Sequence, residues 1–252
     1  MNIQQILSWF LQAGITESIG EQPVNRYQRT PTVPEAEVPA LNQVPIQQSP
    51  SQTDNILLTQ AQHLAESAST LSELYAIRQQ FDGCPLQKTA AHTVNGRGIT
   101  TPTVLCLVES PDTADDRTGQ LLTGAAGELL DKMLIAIGLS LQTNTYLSTL
   151  IPWRAPGNRK PTEMESALCR PFWEKEITLL HPQLILLFGA GPAKALLDID
   201  SLPKARTTVH TYKNIPTFVT IPPTTLLKVP AQKKQAWEDL QKLKSALNDL
   251  NH

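Results

Sequence analysis

The chain has 252 residues, of which 40% are hydrophobic and 5% aromatic, and its formal net charge is −2. This length can build one sizeable α/β domain with additional segments. The near-neutral balance excludes a strongly basic nucleic-acid-binding protein, although a local basic patch stays compatible with weak contact. Three cysteines are too few for a disulfide framework.

The first 54 residues differ in pattern from the rest of the chain. Apolar residues at helical spacing over 3–13 predict a docking helix within segment 1–20. Residues 21–54 contain six prolines and no glycine, which predicts a disordered Pro-rich linker. A basic start followed by an apolar run is missing, and no apolar run approaches 18 residues, so we expect no membrane contact and a cytoplasmic location.

Alternating strands and helices follow a helical lead-in over 55–80. That lead-in contains a helix from about 55 to 68 and a second one that begins at the capping pattern Thr70–Glu73. The main domain is predicted over 81–250, with strands at 103–108, 145–151, 183–188 and 217–221 and helices at 127–138, 163–180 and 231–248. The alternation predicts a three-layer α/β/α sandwich with a short central parallel sheet. The last helix is predicted to bury Trp237, Leu240, Leu243 and Leu247.

Four loops follow the predicted strands, at 109–124, 149–162, 189–194 and 222–230. Because parallel strands end at one edge of a sheet, we expect these loops around one cleft. The first loop contains Glu109 and two adjacent acids, and the others carry Arg and Lys residues. The turn Gly189–Gly191 enters a helix whose N-terminus suits an anion, but it matches only part of a dinucleotide-binding motif. The alternative interpretation is that these are ordinary solvated loop residues.

Four segments in chain order carry a family resemblance. They are ESPDTADDRTGQLLTGAAGELLDKML, YLSTLIPWRAPGNRKPT, CRPFWEKEITLLHPQLILLFGAGPAKALL and PPTTLLKVPAQKKQAWEDL. Together they resemble the uracil-DNA glycosylase superfamily, specifically its bacterial family 4, from about Phe81 to Lys244. The resemblance implies the same α/β/α sandwich and the excision of uracil that is flipped out of DNA into a pocket. It also implies DNA as the partner, preferably single-stranded or with a flipped base, and we expect a monomer.

Several residues of this chain differ from the active-site motifs of the family that it resembles. The family's first motif resembles Gly-Glu-Ala-Pro-Gly, and here Val108 to Asp112 read VESPD, so that Glu109 is kept and both glycines are lost. The family's water-activating acid matches Asp115, and Asp116 follows it. The family's stacking aromatic matches Leu122, and its uracil-reading asparagine matches Thr149. Its His-Pro motif matches Pro222-Pro223, so the histidine is replaced by a proline. The implied base pocket therefore consists of Ser110, Leu122, Thr149 and Pro222.

The resemblance also implies which residues contact DNA. The loop after the family's His-Pro motif wedges into the duplex, and Leu226 is the residue that matches the wedge, unless it is a surface leucine without a role. The other implied DNA-binding residues are Arg154, Arg159, Lys160, Gly189, Gly191, Thr224 and Lys228. With so little net positive charge, we expect modest affinity and a steep salt dependence.

An iron–sulfur cluster is not expected. Many members of family 4 hold a four-iron cluster through four cysteines, and the matching positions here are Phe81, Cys84, Trp153 and Cys169. Such a cluster needs four thiolates, and only two of these positions carry one. We therefore expect an apolar plug in place of the cluster, no metal and no other cofactor.

Three functions are compatible with the sequence. The first is a protein of the base-excision repair family with lost or strongly reduced uracil excision and residual DNA binding. The second is an active DNA glycosylase that hydrolyses the N-glycosidic bond of uracil or another base through Glu109 and Asp115. The third is a non-enzymatic partner protein that docks through the Pro-rich arm 21–54 and the N-terminal helix. Since removal of one transition-state donor typically costs about 10²–10³ in rate, the replacements favour the first.

Overall fold

The computed structural model describes residues 52–250. The docking helix predicted within 1–20 and residues 21–51 of the predicted linker lie outside this range. The described residues form a six-stranded sheet with helices on both faces, which confirms the predicted α/β architecture. Within 52–250 no helix combines the length and apolarity that a membrane crossing needs.

The centre of the sheet is parallel. Its strands are β2 (Val104–Val108), β3 (Thr145–Thr149), β4 (Leu184–Phe188) and β6 (Ile215–Thr220), flanked by the short antiparallel strands β1 (Arg97–Gly98) and β5 (His210–Tyr212). The strand order is β1-β3-β2-β4-β6-β5. Sequence patterns did not predict β1 and β5, because two or three residues are too few to show an alternation.

Nine helices accompany the described strands. They are α1 (Gln52–Ser67), α2 (Leu71–Gln80), α3 (Thr113–Thr118), α4 (Gly124–Ile135), α5 (Glu163–Leu180), α6 (Ala190–Leu197), α7 (Leu202–Ala205), α8 (Pro223–Lys228) and α9 (Lys233–Leu250). Short 3₁₀ turns occur at Pro85–Lys88, Pro156–Asn158 and Pro230–Gln232. The capping boxes predicted at Thr70 and Thr162 are both present. The helices α3 and α8 lie in segments that were predicted as loops.

Two apolar layers enclose the sheet. On one face, Leu105 and Leu107 of β2 pack in a core with residues of α1, α2 and α5. On the other face, Val104, Cys106 and Val108 pack with residues of α4 and α9. Every residue of β2 is buried, as expected for a central parallel strand that is covered on both sides.

The buried stripe of α9 differs from the predicted one at its first position. Leu240, Leu243 and Leu247 are buried as expected, but Trp237 is 44% exposed and Ala236 takes the inward position. Residues 236, 240, 243 and 247 repeat at spacings of three and four, which keeps them on one helix face. The prediction that Trp237 belongs to this stripe was wrong by one residue.

A buried polar network joins α2 and α5 to the sheet. The carboxylate of Glu176 on α5 accepts hydrogen bonds from the hydroxyls of Tyr75 and Ser148. The guanidinium of Arg78 lies 3.4 Å from the same carboxylate, and both side chains are 1% exposed. Burial, followed by the charge of Glu176, raises the pKa of Tyr75. The network therefore pairs the Glu176 carboxylate with two hydroxyls and a buried guanidinium.

Arg78→Met tests the importance of this network. We expect the free energy of unfolding to fall by about 3–5 kcal/mol, because the change leaves the Glu176 carboxylate buried without its cation. Urea denaturation measures this loss.

Arg170→Met is the matched control, since Arg170 pairs with Glu174 on the surface and its side chain is 63% exposed. An exposed pair of this kind contributes about 0.2–1 kcal/mol. Equal losses in the two variants would contradict a structural role for the buried network.

Candidate functional site

A cleft of about 730 Å³ opens at the carboxyl end of the central strands. Its walls come from the segments after β2, β4 and β6 and from the Pro-Gly turn after β3. This volume lies in the usual range for ligand pockets. The prediction that these loops surround one cleft is confirmed, and we call it the main cleft.

Most of the predicted site residues line the main cleft. Among the predicted catalytic and base-pocket residues these are Glu109, Ser110, Asp115, Leu122 and Pro222. Among the predicted DNA-binding residues they are Arg159, Lys160, Gly189, Gly191, Thr224 and Lys228. Four predicted residues do not line it: Asp116, Thr149, Arg154 and Leu226.

Glu109 follows directly after β2, and its main chain is fixed by β3. The amide of Ile151 and the hydroxyl of Thr149 donate to the Glu109 carbonyl, at 3.0 and 3.1 Å. The side chain is half-buried, and burial raises the pKa of its carboxyl, while the positive charge of Lys160 acts in the opposite direction. A carboxyl group with a raised pKa at the edge of a cleft is a candidate for proton transfer.

Two glycines leave room at the Glu109 side of the main cleft. A Cβ on Gly191 would lie 2.3 Å from the Cδ of Glu109, so a larger residue at 191 would displace the carboxyl group. Gly189 has φ +101°, a conformation that L side chains rarely adopt, and a Cβ there would lie 3.0 Å from Pro222. Gly191 is thus required for the observed position of Glu109.

Asp115 is 2% exposed and is held by the start of α3. It occupies the third position of a capping box with Asp112, and it accepts a hydrogen bond from the amide of Thr123 at 3.1 Å. Burial, together with the charge of Asp112, raises the pKa of Asp115, while the amide bonds lower it. Three carboxylates, those of Glu109, Asp112 and Asp115, therefore face one cleft.

Leu122 lies in a strained turn at the wall of the main cleft. Its φ is +48°, which is uncommon for a residue other than glycine. The guanidinium of Arg97 on β1 holds this turn by donating to the carbonyls of Leu121 and Leu122, at 3.0 and 3.2 Å. Strain of this kind is typical of functional sites, where the surrounding contacts maintain it.

Asp116 and Arg154 stabilise the wall without lining the cleft. The Asp116 carboxylate accepts from the amides of Ala91 and His92, at 2.8 and 3.1 Å. Arg154 lies 3.7 Å from Asp116 and donates to Asn158 at 2.7 Å. These contacts differ from two predictions. Asp116 was predicted as a catalytic residue, but its carboxylate is bonded to amides outside the cleft. Arg154 was predicted to contact DNA, but its guanidinium lies beside Asp116 and Asn158.

Thr149 and Leu226 also differ from their predicted places. Thr149 is fully buried, and its hydroxyl is bonded to the carbonyl oxygens of Glu109 and Ile151, so it does not face a base. Leu226 is 1% exposed and packs with Ile221 and Ala236. It therefore cannot act as a wedge from this position. Its neighbour Leu227 is 44% exposed and does line the main cleft.

Sequence reasoning missed the hydrophobic residues Phe188 and Leu227 at the main cleft. Phe188, the last residue of β4, contributes the aromatic side chain of its lining, and Leu227 contributes an exposed apolar one. Asn158 accepts from Arg154 and also bonds to Thr113, which links the Pro-Gly turn to α3. An aromatic residue directly before Gly189 at a strand end was the available signal for Phe188. Asn158 belongs to the loop 154–160 that was predicted to contact DNA, and to the PGNR string that carries the resemblance.

The positions matched to the cluster cysteines lie in one apolar core. Phe81, Cys84, Trp153 and Cys169 are each at most 1% exposed. The Phe81 ring lies 5.3 Å from that of Phe172. Contact with the Cys84 thiol, and then burial, raises the pKa of Cys169.

These residues do not fit a four-iron cluster. The four positions that the resemblance matches to the ligands carry two thiols and two aromatic side chains, whereas such a cluster is held by four thiolates. Over residues 52–250, no group of three or more His, Cys, Asp or Glu side chains is placed to hold a metal ion.

The chain was compared with known protein families. Residues 96–241 match the Uracil DNA glycosylase superfamily. The chain belongs to this superfamily. The matched range includes every residue of the main cleft, from Val108 to Lys228.

Individual relatives of this glycosylase-superfamily chain are named Type-4 uracil-DNA glycosylase. The protein of Pyrobaculum aerophilum is 31% identical over 129 residues, which cover 51% of this chain and 65% of that protein. The protein of Saccharolobus solfataricus is 29% identical over 175 residues, or 66% of this chain and 81% of that protein. The protein of Thermotoga maritima is 30% identical over 115 residues, or 46% of this chain and 59% of that protein. The chain thus spans less than two thirds of the Pyrobaculum and Thermotoga relatives.

The raised pKa of Glu109 implies that this carboxyl group makes the stability of the folded chain depend on pH. A carboxyl with a raised pKa binds its proton more tightly in the folded than in the unfolded chain, so its ionisation opposes folding. Glu109→Gln should therefore be more stable than the native chain at pH 7, and the difference should vanish below the ordinary pKa of 4.5. Urea denaturation at several pH values measures this difference.

Glu165→Gln provides a control of opposite sign. The hydrogen bond from Arg159 lowers the pKa of Glu165, so the native chain should exceed this variant in stability at pH 7 and lose that advantage as the pH falls. A Glu109→Gln effect that does not change with pH would contradict the burial of that carboxyl.

Proposed function

We propose that the chain is a uracil-DNA glycosylase-like DNA-binding protein in which uracil excision is lost or strongly reduced. The observation that carries this proposal is the lining of the main cleft: it retains carboxylates, but the two positions matched to the family's base-reading donors do not supply them. Thr149 is buried with its hydroxyl bonded to carbonyl oxygens, and Pro222 lines the cleft without a side-chain donor.

Cleavage of the glycosidic bond explains why those donors matter. The bond breaks with positive charge on the sugar and negative charge on the departing base. A carboxylate such as that of Glu109 favours the first, and a donor aimed at the base oxygen favours the second. Proline has neither an N–H nor a side-chain donor, so position 222 cannot stabilise the base as it leaves.

DNA binding is supported by the charges along the edge of the main cleft. Lys160 and Lys228 are exposed there, and the first residues of α6 line the same cleft, where helix N-terminal amides suit a phosphate. Arg159 also lines the cleft, but its guanidinium is engaged by Glu165 at 2.6 Å. We propose a monomer that takes single-stranded DNA or a flipped base, without an iron–sulfur cluster. The exposed Leu227 replaces Leu226 as the proposed wedge.

An active glycosylase is the second candidate. Glu109 favours it, because its carboxyl lines the cleft and no described side chain forms a hydrogen bond with it in this structure. Its raised pKa also suits a general base. In this candidate Glu109 activates water, Asp115 assists, and the base is uracil or another.

A single-turnover excision assay separates the two candidates. The substrate is a labelled single-stranded oligonucleotide with one uracil, at a large excess of protein, and the variants are Glu109→Gln and Asp115→Asn. The proposal expects little or no excision by the native chain. Fast excision that Glu109→Gln abolishes would overturn it in favour of the second candidate.

Pro222→His tests the missing donor directly. Removal of one such donor typically costs about 10²–10³ in rate, so restoring an imidazole should raise uracil excision by at least about tenfold. The same single-turnover assay measures this gain.

Thr224→His is the matched control, because it places a histidine two residues away in the same cleft lining. An equal gain in both variants would mean that a histidine elsewhere in the cleft also accelerates excision, so that the effect is not specific to position 222. No gain in Pro222→His would mean that position 222 does not limit the reaction.

A further inference from the structure

A second cleft of about 520 Å³ adjoins the main cleft. It lies between α5 and α6, and we call it the side cleft. The two clefts share Glu109, Lys160, Ala190 and Gly191 in their linings, so the Glu109 carboxyl and the turn into α6 stand at their junction. None of the predicted functions assigned a role to the space behind this junction.

The side cleft has an apolar floor. Leu150, Ile151 and Trp173 form it, and each of them is at most 5% exposed. Its walls carry small side chains, among them Ala167 on α5 and Ala195 on α6. A depression of this size with an apolar floor suits a flat, largely apolar group such as a nucleobase.

Two of the three cations that line the side cleft, Arg170 and Lys194, are already paired. Arg170 lies 2.7 Å from Glu174, and Lys194 lies 2.5 Å from Asp198. Lys160 differs, since its ammonium has no salt-bridge partner among residues 52–250, although its charge is close enough to act on the pKa of Glu109. The available cation thus stands at the junction of the two clefts.

We propose that the side cleft binds the nucleotide adjacent to the one held in the main cleft. Its base lies on the apolar floor, and the phosphate that joins the two nucleotides lies beside Lys160. The inference rests on the proposed DNA binding and extends it to a second nucleotide subsite. Packing on an apolar floor tolerates any base, so this subsite adds affinity for a strand without selecting its sequence.

Filling the side cleft tests this proposal. Ala195→Trp and Ala167→Trp each place a bulky ring in it from opposite walls. We expect each to weaken binding of a labelled single-stranded dodecanucleotide by about tenfold or more, since contacts of one base are lost. Fluorescence anisotropy at low salt measures the affinity, and urea denaturation checks that both variants fold.

Ala136→Trp is the matched control, because Ala136 is an exposed alanine at the far end of α4 from the main cleft. Its affinity should stay close to that of the native chain. If the native chain binds the oligonucleotide and both filling variants bind equally well, the subsite is overturned while the proposed DNA binding stands. If the native chain binds no oligonucleotide, both proposals fail.

A mononucleotide separates a strand subsite from a site for free nucleotide. Thymidine monophosphate should compete poorly for the native chain, because it cannot occupy both clefts at once. Competition by the mononucleotide that disappears in Ala195→Trp would overturn the proposal and assign the side cleft to a free nucleotide.

Discussion

The parallel pairing of β2 between β3 and β4 is the constraint on which the site depends. The pairing continues past the strand ends, where the amides of Leu150 and Ile151 donate to the carbonyls of Val108 and Glu109, each at 3.0 Å. This register brings the segment after β2 against the segment after β3, and β4 adds the turn into α6 on the other side. A shift of register in β2 would move Glu109 away from Gly191 and separate the walls of both clefts.

Within this frame, scaffold and chemistry have different requirements. The scaffold needs buried strands, helix caps and space at Gly191, and all of these are present. The chemistry needs donors aimed at the base, and these depend on single side chains that can change without loss of the fold. Thr149 illustrates this, because its hydroxyl satisfies two carbonyl oxygens at the end of β3 and so serves the sheet. A fold therefore does not fix the activity of its cleft.

The sequence predicted long elements better than the direction of single side chains. Helix α5 begins and ends at the predicted residues, because its capping box and apolar spacing are local signals. Asp116 could not be placed in the same way, since its partners are the amides of Ala91 and His92, which precede it by more than twenty residues.

The wrong predictions for α8 and α9 have the same cause, because the burial of a single side chain depends on contacts with distant parts of the chain. Leu226 and Leu227 are adjacent in sequence, and only the packing of α8 on Ile221 and Ala236 decides which of them is buried. Trp237 was misplaced for the same reason. The resemblance supplied the residue types expected at the site, and the predicted replacements follow from it, but the orientation of these residues required the structure.

The central claim is that the main cleft receives a DNA strand without reading the edge of uracil. The most direct test compares the affinities of the native chain for two single-stranded oligonucleotides that differ only in uracil or thymine at one position, under conditions without turnover. We expect measurable binding with nearly equal affinities, because neither Thr149 nor Pro222 presents a donor to the base. A preference for uracil of about tenfold or more would contradict it, since that difference equals about 1.4 kcal/mol of specific contact.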